Sequence, residues 1–118
     1  LDDEAPTLIY NQVNCSKKSS SNEWIHLEHF TIKEIMDDLY QRSIQSVIIE
    51  GGFFTLNEFI TSNLWDEARV LVGTPIFEEG LLAPIIDQSP SSRMFYGKDE
   101  LLIFENIHSM QSERKQNQ

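Results

Sequence analysis

The feature that most constrains this chain is the run Ser46-Val47-Ile48-Ile49, which ends in Glu50 and two glycines and is followed by a helical pattern. A continuous β-branched stretch without polar alternation is the pattern of a strand buried on both faces of a parallel sheet. Helical signals stand on either side of it. Thr31-Ile32-Lys33-Glu34 has the form of a capping box, in which a hydroxyl and a carboxylate each accept from the other residue's backbone N–H. Ile32, Ile35, Met36, Leu39 and Tyr40 then make a one-sided apolar stripe, which predicts a helix running to about Arg42. Thr55-Leu56-Asn57-Glu58 repeats the box and opens a second predicted helix, with Leu56, Phe59, Ile60 and Leu64 turned inward. Ala68 to Val72 reads as the next strand, stopped by Gly73 and Pro75.

The flanking segments read as shorter elements. Thr7 to Tyr10 and Trp24 to Leu27 are β-favouring runs, separated by a polar, Ser/Lys-rich surface loop from Asn14 to Asn22. Residues 77–92, with Pro84 and Pro90, read as a long loop. Arg93 to Tyr96 and Leu101 to Phe104 flank Gly97-Lys98-Asp99, a hairpin signal that puts antiparallel strands at one edge. Gln111 to Gln118 is polar and expected to fray. Alternating strands and helices predict an α/β fold whose sheet is mainly parallel, with flanking helices and a C-terminal antiparallel hairpin. At 118 residues the chain has room for one core. The expected division is a folded portion at 1–108 and a polar tail at 109–118.

Charge and composition narrow the partners. Nine Lys plus Arg against nineteen Asp plus Glu give a formal charge of -10, a field that repels nucleic acid and anionic lipid. Cys15 is the single cysteine, which excludes an internal disulfide and a thiolate-rich metal site within one chain. No apolar run reaches the roughly 18 residues of a membrane span, and the first residues are acidic where a signal peptide is basic. A cytoplasmic setting is the expectation. His26 and His29 form a His-x-x-His that a strand would point to opposite faces, so no metal is expected. Lys17 and Lys18 could meet a phosphate, although such a pair in a Ser-rich loop is ordinarily solvated.

The segment after the central run holds the candidate chemistry. Glycines let a backbone approach a ligand closely, and the free N–H groups at a helix start attract a pyrophosphate, so an acidic chain can hold an anionic cofactor without lysines. Glu-Gly-Gly by itself also fits a plain tight turn, with Glu50 capping it, and it lacks the full G-x-G-x-x-G spacing. Phe53-Phe54 reads as core packing rather than a stacking platform. Asp66 reads as a cap or turn residue between a helix end and a strand.

Ser46 to Gly52, then Phe59-Ile60, Leu64-Trp65-Asp66-Glu67-Ala68 and Thr74-Pro75 resemble the C-terminal reductase domain of the bifunctional riboflavin deaminase/reductases. Arg93 to Leu102 is similar to that family's closing hairpin, and the likeness runs from about residue 6 to residue 107. It implies a dihydrofolate-reductase-like fold, and NADPH-dependent reduction of the ribosyl group of 5-amino-6-(5-phosphoribosylamino)uracil to ribityl. Carried over by position, Glu50 resembles the substrate-contacting acid, and Gly51, Gly52, Phe53, Phe54, Thr55 and Leu56 resemble the NADPH phosphate loop. No catalytic residue is assigned. The family's reductase domain is longer, so the resemblance implies a fold truncated at its N-terminus, the cofactor-side fragment of an enzyme that is inactive alone. It also implies homo-oligomers. The alternatives are a non-catalytic assembly module of the same fold and a reductase of a different pteridine or pyrimidine.

Overall fold

The computed structural model describes residues 5–13 and 16–116. Cys15 and Leu1-Asp2-Asp3 lie outside them. The chain forms two compact units, divided between Ile48 and Ile49, inside the predicted central strand.

The first unit contains β1 (Thr7–Asn11), β2 (Lys17–Lys18), β3 (Asn22–His26) and α1 (Ile32–Gln41). Its sheet has the order β1-β3-β2, with β1 parallel to β3 and β2 antiparallel to β3. The predicted loop at 14–22 thus carries a two-residue strand. Leu27, just past β3, is the buried apolar side chain of this unit, and its N–H extends the ladder to the Asn11 carbonyl at 2.8 Å.

Helix α1 begins where its capping signal puts it. Thr31 is extended, and its Oγ1 accepts from the Glu34 N–H at 3.2 Å. The Glu34 carboxylate does not return to Thr31 but accepts from the His29 N–H at 3.2 and 3.3 Å, and Oε1 lies 3.1 Å from His29 Nδ1. The helix ends in a reversed turn: Ser43 stands at φ 61, its N–H bonds the Tyr40 carbonyl at 3.0 Å, and the Ile44 N–H bonds the Leu39 carbonyl at 3.1 Å. Ile32, Ile35, Met36 and Leu39 are half-buried, but Tyr40 is exposed, contrary to the stripe. Eight residues on from Ile32, it has turned about 80° around the helix, to the margin of the apolar face.

Polar contacts tie α1 to its sheet. The Tyr10 hydroxyl on β1 donates to Asp38 Oδ2 at 2.7 Å, and Arg42 Nε donates to the same oxygen at 2.7 Å. Arg42 also grips Glu23 on β3 in a bidentate pair, at 2.8 and 3.2 Å. Hydrogen bonding from Arg42 holds the Glu23 carboxyl below its ordinary range. Burial pushes Asp38 up, but hydrogen bonds from Arg42 and Tyr10 outweigh it and leave Asp38 lowered. Burial, then the bond to Asp38, pushes the Tyr10 hydroxyl well above its ordinary value.

The second unit contains α2 (Phe53–Thr61), β4 (Glu67–Val72), β5 (Ser92–Tyr96), β6 (Asp99–Glu105) and α3 (Ile107–Gln116). Its sheet, in the order β4-β6-β5, is antiparallel throughout. The predicted hairpin is present: β5 and β6 pair across a turn in which Gly97 takes φ 62, a conformation glycine adopts without a Cβ penalty. Arg93 Nε lies 2.6 Å from Glu100 Oε1 across it. Phe59, Leu101 and Phe104 are buried.

Asn106 knits the ends of this unit together and is 1 % exposed. Its Nδ2 donates to Asn63 Oδ1 at 2.8 Å and to the Trp65 carbonyl at 2.7 Å, while its Oδ1 accepts from the His108 N–H at 3.0 Å and so caps α3. Its own N–H bonds the Asp66 carbonyl at 2.8 Å, one position beyond the Glu67–Glu105 pair of the β4–β6 ladder. Asn63, at φ 57, closes α2 with the same reversed turn as Ser43, through Asn63 N–H to Ile60 and Leu64 N–H to Phe59.

The architecture is α/β, but several expectations are corrected. Ser46 to Ile49 forms no strand, and Val47 and Ile48 are exposed. A strand exists only through a ladder to a neighbour, and the described strands pair among themselves. The mainly parallel sheet is not found either. β1 and β3 are the one parallel pair among the described strands, and β4 takes the antiparallel hairpin strand β6 as its neighbour. The C-terminal segment is helical as far as Gln116, with Asn106 capping its start, and Asn117 and Gln118 lie outside the described residues. Among the described residues no helix is long and apolar enough to cross a membrane. No group of three or more His, Cys, Asp or Glu there could hold a metal ion.

Candidate functional site

The predicted site residues lie together at the start of the second unit, in the approach to α2 and its first turn. Helix α2 begins three residues earlier than its capping box suggests. Gly52, at φ -76 and ψ 178, is the N-cap; its carbonyl accepts the first helical bond, from the Leu56 N–H at 3.2 Å. Thr55 therefore sits inside the first turn and is not the cap. An extended residue before a helical Phe53-Phe54 pair suffices to start the helix through backbone geometry alone.

This leaves the helix start chemically open. Helix geometry gives the amides of Gly52, Phe53, Phe54 and Thr55 no intrahelical acceptor. No side chain caps them, and no acidic residue stands in the first turn. Their partial positive charge is unanswered within the helix. Neither glycine takes a positive φ, so the backbone here does not demand glycine. A Cβ on Gly52 would meet nothing within 4 Å, whereas one on Gly51 would touch Thr55 Cβ at 3.4 Å. The space in front of Gly52 is open to a ligand.

Glu50 is exposed, and no hydrogen bond ties its carboxylate to the following turn, so the plain capping role is not what it performs here. Phe53 is half-buried, and its ring meets Phe54 edge-to-face with centroids 5.8 Å apart. Phe54 itself is 84 % exposed, which overturns its reading as core packing. Phe59, on the inward face, fills the core position instead. Leu56 is half-buried. These residues together can hold an anion through neutral backbone donors and can offer one carboxylate acceptor two residues upstream of the cap.

His26 and His29 do not converge. His26 Nδ1 lies 2.9 Å from the Val13 carbonyl, and His29 is occupied by Glu34. The Tyr10–Asp38–Arg42–Glu23 cluster had one legible signal, the i,i+4 spacing of Asp38 and Arg42; the strand contributions depend on tertiary placement.

No solved structure matches the chain. Residues 1–93 match the family of RibD C-terminal domains, and the chain belongs to that family. It is similar to the riboflavin biosynthesis protein RibD of Aquifex aeolicus (strain VF5), with 29% identity over 83 residues, or 67% of this chain. The chain spans 23% of that relative's length.

Proposed function

We propose that this chain is the cofactor-side portion of an NADPH-dependent reductase of riboflavin biosynthesis, one that converts the ribosyl group of 5-amino-6-(5-phosphoribosylamino)uracil to ribityl and is inactive without the rest of its domain. The observation that carries the reading is the uncapped start of α2 at Gly52, open in front and free of acids in its first turn, within a chain of the RibD C-terminal family. NADPH, when bound, supplies the hydride.

The residues of this chain bind and orient. The amides of Gly52 to Thr55 donate to the pyrophosphate, and Gly51 and Gly52 keep side chains out of its path. Phe54 offers an apolar ring to the rest of the cofactor. The Glu50 carboxylate accepts hydrogen bonds from the uracil N–H groups or sugar hydroxyls, which are neutral donors and need no opposing cation. A dihydrofolate-reductase-like arrangement, a cytoplasmic setting and a homo-oligomer belong to the same proposal. The outer strands β4 and β5, with Leu71 and Phe95 exposed, support the oligomer.

Calorimetric titration of NADPH tests this, using the chain by itself and within a protein carrying the whole reductase domain. Tight binding and pyrimidine-dependent NADPH oxidation by the longer protein are expected. Absence of binding by both would sink the reductase reading and leave an assembly module.

A further inference from the structure

We draw no further inference here: the strongest candidate, the exposed apolar side chains of Ile76, Phe77, Leu81, Leu82 and Ile85 on the segment between β4 and β5, carries none because nothing in the structure shows what covers them.

Discussion

Gly52→Asp separates the role of this residue in folding from its role in binding, because the two should move in opposite directions. At φ -76 and ψ 178 the backbone has the extended conformation that a capping side chain requires, and a Cβ there meets nothing within 4 Å. Aspartate at this position can accept from the N–H of Phe54 or Thr55 and complement the helix dipole. Relative to glycine, the cap contributes a few tenths of a kcal/mol and the charge roughly 0.3–1 kcal/mol. A gain of about 0.5–1 kcal/mol should raise the melting temperature by about 2–8 °C for a unit of this size. The same carboxylate occupies the amides and faces the incoming pyrophosphate. Two unit charges about 5 Å apart at an effective dielectric near 20 repel by about 3 kcal/mol, and solvent at this open site reduces that to about 1–3 kcal/mol. NADPH affinity of the longer protein should therefore fall by roughly 10- to 100-fold while the protein becomes no less stable. Gly52→Ala, which adds a methyl and no charge, should cost much less. Differential scanning calorimetry and NADPH titration on the same samples read both effects. Unchanged affinity in a stably folded Gly52→Asp protein would refute the phosphate-loop reasoning.

Ser43→Gly should raise the stability of the first unit by about 0.5–1 kcal/mol in urea denaturation, since Ser43 ends α1 in the left-handed conformation that glycine adopts at no cost. Asn106→Ala should lower the stability of the second unit by about 2–4 kcal/mol, because it removes the buried amide's bonds to Asn63 Oδ1 and to the Trp65 carbonyl, which keeps only the Ser109 hydroxyl, and removes the cap of α3. Glu23 and Asp38 titrate lower in the folded chain than in the unfolded one, so their stabilisation is present above the ordinary carboxylate range and is lost as pH falls through their folded values. Arg42→Met should flatten that acid-side loss in pH-dependent denaturation. Tyr10 carries the opposite sign: its raised value stabilises the fold below the ordinary tyrosine range, and the effect is lost as pH rises through the folded value. Ultraviolet titration of the tyrosines should show one that ionises late, and Asp38→Asn should bring it down.

The parts of the fold governed by local chemistry were legible in the sequence. Thr31 caps α1 as its pattern says, Gly97 turns the hairpin, and the strands at β1, β3 and β4 fall within a residue or two of their apolar runs. What failed depends on neighbours. Val47-Ile48-Ile49 has the composition of a buried strand, but composition does not supply the ladder partner that makes one, and the boundary between the two units falls there. The reach of Glu34 to His29 instead of Thr31, and the start of α2 at Phe53 instead of after Thr55, turn on single backbone dihedrals that a four-residue motif does not specify. Of the candidate site, Gly51-Gly52 marked the approach to the helix, but the capping box put a capped start at Thr55, so the uncapped start at Gly52 was not read. Nor was the outward face of Phe54, because in a short helix only the packed partner decides which of two adjacent aromatic residues is covered. The Asn106 amide donors gave no signal, since their bonds reach residues more than forty positions away in sequence.

The most direct test of the central claim is hydrogen exchange of the backbone amides from Gly52 to Thr55, with and without NADPH, in a protein that carries this chain within a whole reductase domain. The account predicts slowed exchange at those amides on NADPH binding, abolished by Gly52→Asp. NADPH binding that protects other amides and leaves these four unchanged would contradict it.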